Sequence, residues 1–132
     1  MTLPLPERTT LTQPYWEALE RQRLVFQECS CGQRWAAARP QCPKCLRTDR
    51  WQWRDASGRA TLISWVIYHV AYHPAFAERL PYNVAIVELE EGPRMMTNVI
   101  VDDFADLKAG MPLELNVQHD FGVLLARFAP AR

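Results

Sequence analysis

The sequence predicts a mainly β protein: a short N-terminal helix, a small metal-clipped ribbon, then a five-stranded Greek-key barrel. Three observations carry this expectation. Four cysteines crowd together as Cys29-Ser30-Cys31 and Cys42-Pro43-Lys44-Cys45. Helical periodicity is confined to the stretch before residue 24. Beyond Gly58, β-branched and aromatic runs alternate with turn residues, the pattern of an antiparallel all-β unit. Soft thiolates in a tetrahedral arrangement select zinc, and a closed four-sulfur site leaves no coordination position for a substrate. Cys29, Cys31, Cys42 and Cys45 therefore point to a structural Zn²⁺ and not to a reaction centre.

Each element has its own warrant. Residues 1–11 are rich in Pro and Thr and read as extended or mobile. Thr12 has the chemistry of an N-cap, and Pro14 is tolerated in the first helical turn. Tyr15, Trp16 and Leu19 then share one face of a helix reaching about Arg23, with Glu17, Glu20 and Arg21 in solvent. Leu24–Glu28 leads as a short strand into the first cysteine turn, where Gly32 can take a positive φ. Pro43 stiffens the second turn, and Leu46 stands where a glycine would be easier. Trp51 and Trp53 alternate with Gln52 and Arg54, as in a strand closing the ribbon. Such a ribbon is too small to own a core, so metal binding supplies most of its folding free energy. Asp55–Gly58 forms the joint. Three units follow: an extension and helix at 1–23, the ribbon at 24–56 and the barrel at 57–132.

Within the barrel, Thr61–Val70 is apolar on both faces, as expected for a strand that is doubly buried or curls across a closing sheet. His73–Pro81 reads as a loop with one helical turn. Tyr82–Glu90 and Met95–Val101 are the second and third strands. Asp103 caps a short helix that Gly110 and Pro112 end. Leu113, Leu115 and Val117 alternate with Glu114, Asn116 and Gln118 in a half-buried fourth strand. Asp120-Phe121-Gly122 turns the chain into the fifth, Val123–Phe128. Five strands with a small helix between third and fourth fit a barrel of OB type, with a five-stranded open sandwich as the structural alternative.

Composition bounds the function. Fifteen acids balance fifteen bases, and a chain without positive excess is a poor general binder of phosphate backbones. No apolar run approaches the roughly twenty residues that span a bilayer. The first residues lack a signal peptide's apolar core and cleavage site, so a cytoplasmic location is expected, where thiols favour metal over disulfides. No G-x-S-x-G, P-loop or G-x-G-x-x-G motif is present. His69, His73 and His119 have no cysteine or carboxylate at a spacing that builds a catalytic constellation, and Asp102-Asp103 reads as a helix cap. No catalytic residue is expected. Five tryptophans read mainly as packing, and otherwise as anchors of a protein–protein surface together with the arginines at 47–59.

The order of the pieces carries a resemblance. The C-x-C-G…C-P-x-C ribbon, Gly58-Arg-Ala-Thr61, Val87-Glu-Leu-Glu-Glu-Gly-Pro93, Gly110-Met-Pro112 and Ala126-Arg-Phe-Ala-Pro130 resemble the bacterial and archaeal family that joins a rubredoxin-like zinc ribbon to an OB fold. The likeness runs from about Thr12 onward. Family ribbons more often carry C-x-x-C in the first pair, so Cys29-Ser30-Cys31 is a departure that tightens that turn. Rubredoxin-type iron uses the same four ligands, but the short first pair and Leu46 argue for zinc. The resemblance implies an accessory subunit of a thiolase-like or other acyl-CoA-dependent enzyme, in a hetero-oligomer, with catalysis on the partner. It implies that the barrel mouth, with His73 and Phe76, helps bind or cover the acyl-CoA. Trp51, Trp53, Arg54 and Arg59 are the expected partner or CoA contacts at the ribbon exit. The rival expectation is a single-stranded nucleic-acid-binding OB protein, against which neutral charge speaks.

Overall fold

The computed structural model describes residues 5–131. Residues 1–4 of the expected extended lead lie outside the described residues; Leu5–Arg8 carry no regular structure. Helix α1 spans Gln13–Glu20. Thr12 occupies the N-cap position but makes no side-chain cap bond. Its hydroxyl instead accepts the Thr9 N–H at 2.9 Å, while the Thr9 carbonyl accepts from Gln13 at 2.8 Å. The helix stops three residues short of Arg23 because Gln22 adopts φ 60°, which ends α-helical bonding. Ala18 and Leu19 are its buried residues.

The ribbon is a three-stranded antiparallel sheet of β1 (Val25–Cys29), β2 (Arg34–Trp35) and β3 (Trp51–Asp55), with β1 in the centre. Gln27 on β1 is fully buried. Its amide donates to the Arg39 carbonyl at 2.7 Å and accepts the Arg39 N–H at 2.9 Å. One side chain thus closes the loop between the cysteine pairs like a strand partner.

Five further strands form the larger sheet, in the order β6-β5-β4-β7-β8: β4 (Arg59–Tyr68), β5 (Tyr82–Leu89), β6 (Arg94–Thr97), β7 (Pro112–Asp120) and β8 (Val123–Pro130). Two 3₁₀ turns, Pro74–Arg79 and Phe104–Asp106, sit in the expected connections, and Asp103 caps the second by accepting from Ala105 N–H. The third barrel strand is shorter than Met95–Val101. After Thr97 the chain leaves β5 and crosses to β8, where Val99 and Phe128 make a parallel bridge and Ile100 N–H donates to the Phe128 carbonyl at 2.8 Å. The sheet therefore curls into a half-barrel whose two edges meet at this point.

The two apolar faces of the first barrel strand have a local cause. The β4–β5 register shifts between Leu62 and Ser64, placing a bulge at Ile63. One extra residue reverses the period-two phase. Ala60 and Leu62 point inward before the bulge, and Trp65 and Ile67 pack on the core after it, leaving Val66 exposed. Leu62, Val87, Leu89, Leu113 and Phe128 make up the core, and Leu24 from the ribbon's entry joins them. Ala56 N–H closes the ribbon on the Leu24 carbonyl at 2.8 Å, and Arg34 ties ribbon to barrel by donating to the Glu91 carbonyl at 2.9 Å.

Candidate functional site

Two features have the geometry of sites, one at each end of the molecule. The first is the cysteine cluster. β1 ends on Cys29, and the turn that follows carries Cys31. Gly32 takes φ +98° with open space where a side chain would be, and its N–H donates to the Cys29 carbonyl at 2.9 Å. Cys42 and Cys45 sit on a second turn closed by Leu46 N–H to the Cys42 carbonyl at 3.0 Å. Leu46 does adopt the left-handed conformation, φ 66°, a strain that glycine would avoid.

The four sulfurs lie within 4.8 Å of one another. Cys29 Sγ stands 3.6 Å from Cys45 Sγ, and Cys31 Sγ 3.7 Å from Cys42 Sγ. A disulfide would bring sulfurs to about 2 Å. The edge of a tetrahedron with metal–sulfur bonds of about 2.3 Å is about 3.8 Å, so the set fits a tetrahedral metal ion. The short first pair does not prevent this, because Cys29 and Cys31 still lie within 4.8 Å of each other while each stands against a sulfur of the second turn. Burial pushes the Cys42 thiol up, but the N–H groups of Cys45 and Lys44 and the neighbouring sulfurs outweigh it and hold it near 6. Trp35 and Trp51 wall the cluster, and Trp51 donates its indole N–H to the Pro40 carbonyl at 2.9 Å.

The second feature is a cleft of about 700 Å³ at the barrel's open end. Its wall is aromatic. Tyr68 stacks on Tyr82 at 5.2 Å, Phe76 lies 5.4 Å from Tyr82 and 5.2 Å from Phe121, and Tyr72 meets Tyr68 edge-on at 6.0 Å. Its floor is polar. Asp120 accepts from Arg79 at 2.6 Å and from Arg127 at 2.9 Å. Arg79's hydrogen bond, opposed by burial and reinforced by Arg127, lowers the Asp120 carboxyl to about 2. Asn83, buried beneath, exchanges two bonds of 2.8 Å with Val99.

The residues singled out from sequence divide between these regions. Trp51 and Trp53 stack edge to face at 5.9 Å on the ribbon. Arg54 is exposed beside them. Arg59 is exposed and paired with Glu90 at 2.7 Å. Phe76 lines the cleft at the opposite end; His73 packs against its ring at 6.4 Å and accepts the Ala75 N–H. The four-cysteine set is brought together, whereas Arg59 and Phe76 belong to different features. Sequence reasoning missed Gln27, Asn83, Asp120 and Arg127. For Asn83 a signal existed: it shares the inward phase of β5 with Ala85, Val87 and Leu89, and a polar residue there must find partners.

Residues 53–118 match the family described as the C-terminal OB-fold domain of ChsH2. A DUF35 domain-containing scaffold protein of Methanocaldococcus jannaschii is 33% identical over 96 residues, covering 72% of this chain and 67% of that one. The chain belongs to the DUF35 family. A chain of the Ltp2-ChsH2(DUF35) aldolase structure superposes with TM-score 0.81 at 34% identity, covering 97% of this chain and 100% of that chain. A probable enoyl-CoA hydratase alpha subunit of Thermomonospora curvata is 36% identical over 119 residues, or 89% of this chain. This DUF35 chain spans only 36% of that subunit's length. No helix among its described residues is long and apolar enough to cross a membrane.

Proposed function

We propose that this DUF35 chain is a non-catalytic accessory subunit of an acyl-CoA-processing enzyme, a thiolase-like protein being the expected partner. The observation that carries the reading is the near end-to-end likeness to a chain of an enzyme complex, the Ltp2-ChsH2(DUF35) aldolase. The scaffold names of archaeal relatives and the hydratase subunit name support it.

In this reading the ribbon, 24–56, is a docking platform stiffened by a structural Zn²⁺. The four thiolates saturate the ion, so it holds two turns in register and takes no substrate. Half-buried Trp53 and exposed Arg54 and Arg59 are residue types favoured at protein interfaces. A depression of about 510 Å³ between α1, the 36–38 loop and β6 adds to that platform. Tyr15 and Trp16 of α1 and Met95 and Met96 of β6 line it, apolar side chains of the kind that protein interfaces favour. The barrel, 57–132, faces the partner's acyl-CoA.

The test is co-expression with candidate thiolase-like or hydratase partner proteins. A stable complex that turns over acyl-CoA, with neither chain active alone, is the expected result. Turnover by this polypeptide alone, or no complex at all, would overturn the reading.

A further inference from the structure

We infer that the free edge of β6, where it borders α1 and the 36–38 loop, takes an extended, acidic segment of a partner protein as an added β-strand. This deepens the accessory-subunit reading and rests on it only for where the segment comes from.

The backbone of β6 comes first. β6 is the outermost strand of its sheet and pairs with β5 on one side. The hairpin between them is closed by Leu89 N–H donating to the Pro93 carbonyl at 2.8 Å. Hydrogen-bonded and non-hydrogen-bonded pairs alternate from there. Val87 and Met95 fall in a bonded pair, as do Ala85 and Thr97, whereas Arg94 and Met96 stand opposite Glu88 and Ile86 in non-bonded pairs. The N–H and C=O groups of Arg94 and Met96 therefore point away from β5. No other backbone group among the described residues bonds them. Two donors and two acceptors thus stand in a row at a sheet edge, the array with which an incoming strand pairs.

What lies beside this edge selects the occupant. The groove holds about 510 Å³. β6 forms one wall, and Tyr15 and Trp16 of α1 with residues 36–38 form the other. Residues 36–38 are all alanine, so a passing backbone can come close. An edge faced by a helix and a loop admits a single strand, not a whole sheet. A second copy pairing through its own β6 would need room for its β5 about 4.8 Å further out, on the side where α1 and the loop stand.

Charge states the chemistry. Among the residues lining the groove, Arg94 alone is charged. It meets Glu88 through Nε at 3.3 Å, and its side chain is 58% exposed. Arg34 and Arg39 flank the alanines and are exposed. Across residues 24–56, six basic residues stand against three acidic ones, a surplus that the charge of about −2 on a zinc tetrathiolate does not cancel. A segment with acidic ends complements this rim. β-Branched residues between those ends suit a strand laid beside Met95 and Met96.

The probe is the capped peptide acetyl-Glu-Val-Thr-Val-Thr-Val-Glu-amide, titrated into the isotopically labelled full chain and followed by amide shifts and hydrogen exchange. The expected result is saturable shifts at Arg94, Met95 and Met96, slowed exchange of the Arg94 and Met96 amides, and a Kd below about 1 mM. Met96→Pro removes one outward donor at a residue 67% exposed, on an edge that tolerates proline. It should weaken binding at least about tenfold while the Val87 and Leu113 signals stay native. A second control leaves the protein untouched: the peptide is N-methylated at its valines or, separately, at its threonines. One of the two faces β6 and should fail. Equal binding of both methylated peptides would overturn strand addition, as would silence of β6 up to about millimolar peptide. Equal binding with lysine in place of both glutamates would overturn the acidic assignment. A dimer of the lone chain that protects the same amides and is lost in Met96→Pro would give the edge to a second copy instead. Because the titration needs no partner enzyme, peptide binding without a complex removes the accessory role alone. A complex that Met96→Pro forms as well as the native chain removes only the added strand.

Discussion

The ribbon and the barrel are β-sheets of one chain built on opposite economies. The barrel buries nine apolar residues, Leu62, Val87, Leu113 and Phe128 among them, in one cluster that Leu24 of the ribbon joins, and its edges meet where Phe128 bridges Val99. The ribbon's own buried cluster is Cys29, Trp35 and Cys42, with Cys45 and Trp51 packed beside it. Three of those five residues are sulfur ligands. The barrel is held by area removed from water; the ribbon is held by a few directed bonds, and a metal ion is the strongest of them. A part that owes its shape to bonds and not to a core can leave its aromatic residues half-buried, as Trp53 is against Trp51, which suits an adaptor.

The comparison can be broken most sharply by removing the metal. Chelation, or Cys42→Ser, is expected to collapse the amide dispersion of residues 25–55 while the signals of Val87 and Leu113 stay native. Structural zinc contributes roughly 10–16 kcal/mol in zinc-finger peptides. Collapse of both regions together would show that the shared Leu24 makes them one cooperative unit. Next in size is Phe128→Ala, expected to cost about 3–5 kcal/mol in denaturant unfolding of the barrel, with metal content unchanged. Asn83→Ala strands the Val99 N–H and carbonyl and is expected to cost about 1–3 kcal/mol by the same measurement.

Asp120 gives a pH signature confined to the barrel. Its folded carboxyl is lowered to about 2 from an ordinary value of 3.8. A lowered folded value means that the stabilisation is complete above pH 4 and is lost as pH falls from about 4 to about 2. Asp120→Asn should flatten barrel stability across that window, as followed by acid titration of its unfolding midpoint. The smallest effect is expected at Arg59→Ala. Its pair with Glu90 is exposed on both sides, so stability should change by less than about 1 kcal/mol. Any larger consequence, read as lost affinity in the reconstituted complex, would mark Arg59 as a partner contact.

Much of this was legible in the sequence, for identifiable reasons. The cysteine set was readable because thiolate spacing has few other uses, and β7 because Leu113, Leu115 and Val117 keep strict alternation. The bulge at Ile63 was not readable. It leaves only a run of apolar residues, and the phase reversal needs the register against β5. Nor was the early end of α1, since Gln22 carries no signal for a left-handed conformation. The cleft was only half visible. Phe76 and the 69–80 loop were expected near the barrel mouth, but Asp120 read as a turn former, and nothing local told that Arg79 and Arg127 would converge on it from distant positions. Contacts between residues far apart in sequence carry no local pattern, and Gln27's grip on Arg39 is hidden for the same reason.

The most direct test of the adaptor account is elemental analysis of the freshly purified full chain. About one zinc per polypeptide, lost in Cys42→Ser, is the result it requires. A preparation with native far-ultraviolet circular dichroism and no stoichiometric zinc, or with stoichiometric iron and a redox response in its place, would contradict it.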